Sequence, residues 1–271
     1  MKTKNYILIL IILLMAPISA GFAEKAPDSN IKEEVVTYTV GNTVYKGFLA
    51  YNENQKGIRP AVLVVHEWWG LTDYPKMRVR QLAELGYVAL AVDMFGDGNI
   101  ATNPKEAMAL TVPFYSNPQL SKAIMDAALA KIKENKQTDP ANIFAIGYCF
   151  GGSVVLNYAK LGGDIKGVVS FHGGLKGVTP DKDLLKAKIL VCQGGSDNFA
   201  PEADQMLFKH QLDSIGATYT FISYPGAKHA YSNPASTETG KKFNMNIEYN
   251  KAADVNSWND MKKFFNSLVG K

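Results

Sequence analysis

Residues 142–152 read Asn142-Ile143-Phe144-Ala145-Ile146-Gly147-Tyr148-Cys149-Phe150-Gly151-Gly152, and the fold follows from them. An apolar β run at 142–146 stops at Gly147, and a helical run at 151–161 starts at Gly151. A cysteine flanked at two residues on each side by glycine, between a strand and a helix, is the setting of a nucleophile elbow. The glycines permit a tight turn and a close helix–strand approach that lifts the side chain above the sheet. The helix N-terminus behind Cys149 favours a thiolate, and backbone N–H groups at the turn suit an oxyanion. From the motif alone, a buried inert cysteine between glycines is an equally good reading.

The flanking pattern extends the strand–helix rhythm in both directions. Upstream, residues 61–65 are a continuous apolar run, as in a strand buried on both faces. A helix at 74–85 ends at Gly86, and a strand follows at 87–92. Downstream come strands at 165–170, 188–192 and 218–223, and helices at 121–135, 201–212 and 254–268. Before all of these, residues 35–39 and 43–51 alternate around Gly41-Asn42, the signature of an antiparallel hairpin. The expected fold is α/β: a mostly parallel eight-stranded sheet with helices on both faces and an antiparallel N-terminal edge. One domain at 35–271 is expected, after a polar arm at 24–34. Residues 99–118, with Pro104, Pro113 and Pro118, break the rhythm. They contain a short helix at 104–110 and form either a partial cap or a plain surface connection.

In an open parallel sheet, ligands bind beyond the carboxyl ends of the strands. Nearly every strand end here offers a polar or aromatic group: His66, Glu67, Trp68 and Trp69; Asp93 and Phe95; Cys149; His172; Asp197; and His229. The chain has 4 histidines, and His229 follows the last parallel strand, where a triad base belongs. Asp197 follows the strand before it, in Gly194-Gly195-Ser196-Asp197. The order nucleophile, acid, base is the one used on α/β-hydrolase scaffolds. In such a triad His229 takes the Cys149 proton and passes it to the leaving group, while Asp197 holds the imidazole. Read singly, Asp197 is also a fitting cap for the helix at 201–212, and His229 a solvated loop histidine. His210 falls inside a helix, on its surface. Trp69, Phe95, Tyr148, His172, Phe199 and Tyr231 are expected to border a pocket with apolar walls.

Other chemistries lack their residues. His66-Glu67-Trp68-Trp69-Gly70 opens like H-E-x-x-H, but Gly70 stands where the second histidine would be. No C-x-x-C motif and no dinucleotide glycine fingerprint is present, so neither metal nor cofactor is expected. The 2 cysteines, Cys149 and Cys192, fall at strand ends separated by one strand, roughly 9–10 Å apart. A disulfide needs Cα atoms within about 7 Å, so both are read as free thiols.

The chain of 271 residues is 46% hydrophobic and 20% charged, a globular composition long enough to bury a core without disulfides. Lys2 and Lys4 precede an apolar run at 7–16, then Pro17 and small residues up to Ala23. This is read as a secretory leader at 1–23, cleaved after Ala20 or Ala23, because the run is shorter than the about 20 residues of a membrane span. The alternative is an uncleaved anchor. Without Lys2 and Lys4 the formal net charge falls from +4 to +2, which gives no support for nucleic-acid binding. An exported, periplasmic or secreted monomer with no stable membrane association after leader removal is expected.

The stretches His66-Glu67-Trp68-Trp69-Gly70, Val92-Asp93-Met94-Phe95, Ile146-Gly147-Tyr148-Cys149-Phe150-Gly151-Gly152, Gly195-Ser196-Asp197 and Ala227-Lys228-His229-Ala230-Tyr231 resemble the dienelactone hydrolase family of the α/β-hydrolase superfamily. The resemblance runs from about Val35 to the C-terminus. It implies a Cys149, Asp197, His229 triad, a Glu67 that influences the charge of the thiol, and oxyanion donors at the N–H groups of Phe150 and Trp68. It implies hydrolysis of a lactone or small carboxylic ester through an acyl-thioester. A non-catalytic small-ligand-binding protein on the same scaffold is the alternative. The family archetype also holds the substrate carboxylate with arginines. Here the corresponding stretches read Gly96-Asp97-Gly98 and Ala230-Tyr231-Ser232-Asn233-Pro234, so neutral substrates are expected. Arg78 and Arg80 are the only arginines near enough in sequence to substitute.

Overall fold

The computed structural model describes residues 30–269. The leader expected at 1–23 and most of the polar arm lie outside the described residues. In chain order the elements are β1 (Ile31–Val40), β2 (Thr43–Asn52), β3 (Arg59–Val65), α1 (Asp73–Glu84), β4 (Val88–Val92), α2 (Pro104–Ser116), α3 (Pro118–Lys133) and β5 (Thr138–Tyr148). Then follow α4 (Phe150–Lys160), β6 (Gly167–Phe171), β7 (Lys188–Gly194), α5 (Glu202–Ser214), β8 (Tyr219–Tyr224), α6 (Ser236–Phe243) and α7 (Lys251–Leu268). The eight strands form one sheet in the order β1-β2-β4-β3-β5-β6-β7-β8. β1–β2 and β2–β4 pair antiparallel, and every other pair is parallel.

Strand alternation explains why the central strands are apolar throughout. Ala61, Leu63 and Val65 of β3 face one core, where Ile124, Ala128, Val155 and Leu212 bring in α3, α4 and α5. Val62 and Val64 face the other, built with Val79 and Leu82 of α1 and Met261 and Phe265 of α7. Each central strand therefore has a helix layer on both faces, and the polar crossings collect at the strand ends.

Two expectations change. Residues 31–34 are not a loose arm but the start of β1, with Ile31 opposite Asn52 and Glu34 opposite Leu49. Ile31 packs on the core, but Lys32, Glu33 and Glu34 make polar contacts, such as Tyr51 Oη to Glu34 Oε1 at 3.1 Å and Arg80 to Glu33, so no apolar alternation marks the segment in the sequence. The helix at 104–110 extends to Ser116, capped by Asn103, whose Oδ1 accepts from the Glu106 N–H. Asn117-Pro118 then starts α3 at once. Helix α6 was not foreseen. Its sequence has no apolar stripe, and Gly240 lies so close to Ile247 that an added Cβ would sit 2.6 Å from the carbonyl oxygen.

The turn from β5 to α4 is the tightest approach among these elements. A Cβ on Gly147 would lie 2.0 Å from the Gly151 oxygen, and one on Gly151 would lie 2.3 Å from the Val65 oxygen. Both obstacles are backbone, so neither can swing aside. Gly151→Ala is expected to destabilise the fold by about 3 kcal/mol or more, the upper range of overpacking. Urea unfolding measures this directly, and an unchanged midpoint would contradict the packing described.

Candidate active site

Cys149 sits between β5 and α4 with φ 53° and ψ −113°. This is left-handed backbone that a residue with a Cβ adopts only under constraint. Its N–H donates to Phe171 O at 3.0 Å and to His172 Nδ1 at 3.1 Å. The Gly151 N–H donates to His66 O at 3.1 Å, tying the start of α4 to the end of β3. The turn is thus held from both neighbouring strands, with the sulfur raised above the sheet.

The three expected partners meet there. His229 Nε2 lies 3.0 Å from Cys149 Sγ, and His229 Nδ1 lies 3.0 Å from Asp197 Oδ2. The Asp197 carboxylate is fixed by Gln193 Nε2 at 2.6 Å and by the Phe199 N–H at 2.8 Å. It does not cap α5, whose N-cap is Pro201. Burial disfavours a charged His229, but the negative sulfur of Cys149 and the hydrogen bond and charge of Asp197 outweigh it, raising the pKa to about 10. Their order in the sequence predicts this meeting, because β7 and β8 carry Asp197 and His229 to the same end of the sheet as Cys149 after β5.

Glu67 borders the same space but does not bond the sulfur. Asn233 Nδ2 donates to Glu67 Oε2 at 2.6 Å. Burial is the main influence on this carboxyl, and it raises the pKa to about 7 against the lowering effects of Asn233, His229 and Arg78. His66, beside it, is a brace: Met94 N–H donates to Nε2 at 3.2 Å, which leaves the proton on Nδ1 to donate to Glu67 O. Burial lowers its pKa to about 4, so it stays neutral.

A cavity of about 270 Å³ opens over Cys149. Glu67, Trp68, Trp69 and Phe150 form its floor and one wall. Met108, Thr111 and Tyr115 of α2 form a second wall, so the segment at 99–118 does cover part of the site. Phe199 closes a side, its ring 4.6 Å from that of His229. Met245 and Ile247, after α6, with Gly174 and Ala230 complete the lining. Four residues expected in the pocket stand behind its wall. Tyr148 is fully buried on the opposite core, stacked on Phe171. Phe95 packs under Phe150 and against His66. His172 is fully buried beneath the Cys149 turn. Tyr231 is also buried and donates to Cys192 O at 3.1 Å. Strand-end position places a residue near the rim, but local alternation decides whether its side chain turns up or down. The contributions of Met108, Met245 and Ile247 had no sequence signal, since each is an apolar residue in a segment without strong periodicity.

Among the described residues, no arginine or lysine lines the cavity. Arg78 is buried elsewhere, donating to Ser232 O at 2.8 Å and paired with Asp254. Arg80 pairs with Glu33 at the surface. Cys149 and Cys192 are both free thiols. Among the described residues, no group of three His, Cys, Asp or Glu side chains is placed to hold a metal ion, and no helix is long and apolar enough to cross a membrane.

The sheet order and the cysteine-bearing turn at the end of its central strand define an α/β-hydrolase fold. The model of the dienelactone hydrolase family matches residues 45–269, and the chain belongs to that family. A relative from Methylorubrum extorquens named "Putative carboxymethylenebutenolidase" is 32% identical over 64% of this chain and 63% of its own length. An Escherichia coli protein of the same name is 25% identical over 93% of this chain and 97% of its own. Among solved structures, a dienelactone hydrolase-like promiscuous phosphotriesterase from metagenomic libraries superposes with a TM-score of 0.83 at 29% identity, covering 89% of this chain and 99% of that one.

The raised Glu67 pKa has a consequence for stability. Between about 4.5 and about 7 the folded chain keeps a proton that the unfolded chain releases, so this group makes stability fall as pH rises through that window. Below about 4.5 both states are protonated and the effect vanishes. Glu67→Gln keeps an acceptor for Asn233 without the buried charge. It is expected to raise stability by roughly 1–3 kcal/mol near pH 8 and to change little near pH 4. Urea unfolding at the two pH values reads the difference; an equal effect at both would contradict a charged, buried Glu67.

Proposed function

We propose that this protein hydrolyses lactones or small carboxylic esters, with Cys149 as nucleophile, His229 as general acid and base, and Asp197 as the group that orients and stabilises the imidazolium. The observation that carries this reading is the unbroken 3.0 Å and 3.0 Å relay from Asp197 through His229 to a sulfur held on a left-handed turn. In this mechanism the Cys149 sulfur adds to the carbonyl carbon, and the carbonyl oxygen becomes an oxyanion facing the N–H groups of Phe150 and Trp68. Phe150 suits that task because the first residues of a helix have N–H groups without intrahelical partners. Collapse of the adduct breaks the acyl–oxygen bond, and the leaving oxygen takes a proton from His229. A water then gives His229 a proton and attacks the thioester, releasing the acid and restoring the thiolate.

The substrate of this reading is neutral and apolar. A carboxylate entering the cavity would meet Glu67 and, among the described residues, no arginine or lysine to pair with, at the cost of desolvation. Asn233 does not replace a guanidinium, because its amide is engaged by Glu67. Export through the leader at 1–23 is part of the same proposal. In an oxidising compartment the nucleophile has no disulfide partner within the chain, since Cys192 is buried in the opposite core.

A hydrolysis panel on wild type and Cys149→Ala tests the reading. Neutral lactones and short aryl esters are expected to be cleaved with kcat/KM at least roughly tenfold above carboxylated dienelactones. Cys149→Ala is expected to lower kcat about a thousandfold or more with the fold intact. Retained turnover in that variant would overturn the nucleophile, and a preference for carboxylated substrates would overturn the neutral cavity. Binding of esters without turnover by wild type would favour a ligand-binding protein instead.

A further inference from the structure

His172 has no place in the proposed relay, yet it touches both ends of the reacting pair. Its Nδ1 lies 3.1 Å from the Cys149 N–H, and its ring packs edge-on against His229 with centroids 5.3 Å apart. It is fully buried and itself holds a left-handed backbone, φ 42°. A backbone N–H can only donate, so Nδ1 must present its lone pair. The ring proton then sits on Nε2 and points to Ser232 Oγ, 2.7 Å away. Ser232 is fixed in turn: its hydroxyl lies 2.7 Å from Tyr74 Oη, and its carbonyl accepts from Arg78 at 2.8 Å. Arg78 is anchored by Asp254 on α7. A polar chain thus runs from the nucleophile's own amide, through one imidazole, to α1 and α7 on the far side of the sheet.

We propose that His172 is a positioning residue that acts as a neutral Nε2–H imidazole, locked in that tautomer by Ser232, to hold the Cys149 turn and the His229 ring in register. The inference rests on the reading of Cys149 as the nucleophile. The left-handed turn at Cys149 is costly and persists only where surrounding contacts over-determine it. The bond from Cys149 N–H to His172 is one of the three that hold this turn, beside Cys149 N–H to Phe171 O and Gly151 N–H to His66 O. A second proton on the ring would set N–H against N–H and break that bond. Burial, the nearby His229 and the Arg78 charge all work against such a proton, keeping the His172 pKa well below the ordinary histidine value. Because the same ring abuts His229, a tilt would move sulfur and imidazole relative to each other. A misplacement of about 1 Å in a reacting pair costs on the order of a hundredfold in rate.

The test combines kinetics with the spectrum of the ring. His172→Asn keeps an acceptor where Nδ1 stands, whereas His172→Gln places its amide near the Nε2 position and loses that acceptor. His172→Asn is expected to retain kcat within about threefold, and His172→Gln to lose about a hundredfold, with KM changed less than about threefold in both. Ser232→Ala leaves residue 172 untouched and is expected to lower kcat about tenfold with KM unchanged. A merely structural role would instead lower the melting temperature of the two His172 variants without separating their kcat values. NMR of the labelled histidine ring nitrogens in wild type, assigned by the signals lost in His172→Gln, is expected to show His172 as the neutral Nε2–H tautomer at neutral pH. An Nδ1–H or doubly protonated His172 in active wild type, or equal kcat in His172→Asn and His172→Gln, would overturn the positioning role and leave the hydrolase reading standing. A wild type that cleaves no ester and matches Cys149→Ala would overturn the hydrolase reading, while the ring spectrum would still report the tautomer.

Discussion

The backbone of Cys149 is held at φ 53° and ψ −113° by contacts that come from both neighbouring strands. Its amide is taken by the end of β6, and Gly151 two residues later is taken by the end of β3. These contacts require helix α4 to press directly on the sheet, and only glycine at 147 and 151 leaves room for that. The consequence reaches outward. With the sulfur lifted above the strand ends, a histidine after β8 and an aspartate after β7 reach it in line. Relaxing the turn would drop the sulfur out of reach of His229 without altering any of the three side chains.

The site divides into a hydrogen-bonded line and an apolar chamber. Cys149, His229 and Asp197 form the line, in which His229 contacts the sulfur on one side and the carboxylate on the other, and burial strengthens both contacts. Around them Trp68, Trp69, Met108, Phe199, Met245 and Ile247 make an apolar lining in which, among the described residues, no arginine or lysine takes part. Glu67 is the exception, a buried carboxyl whose hydrogen-bond donor is an amide rather than a guanidinium. Burial raises its pKa to about 7, and the Asn233 amide only partly offsets that.

The sheet and the relay were legible because both depend on patterns with a fixed period or a fixed order. The unbroken apolar run at 61–65 predicts a strand buried on both faces, and the order Cys149, Asp197, His229 after β5, β7 and β8 predicts that they converge. The glycines around Cys149 were legible for a steric reason that the 2.0 Å and 2.3 Å approaches make explicit. What the sequence hid was orientation. Tyr148 and Tyr231 stand at strand ends like their neighbours, but their side chains turn into the lower core. The walls from α2 and from residues 245–247 depend on how long irregular segments fold back over the rim, which no local pattern encodes. The role of His172 was hidden for a similar reason. Its partner Ser232 is 60 residues away, and only the folded turn after His229 brings the two together.

The central claim is that the carbon–oxygen bond is cleaved through an acyl group carried on Cys149. Intact-protein mass spectrometry after rapid acid quench of a slow, neutral aryl ester reads this directly. A mass increase equal to the acyl group, mapped to Cys149 and decaying at the rate of turnover, is predicted. Steady turnover with no adduct on Cys149, or an adduct on another residue, would contradict it.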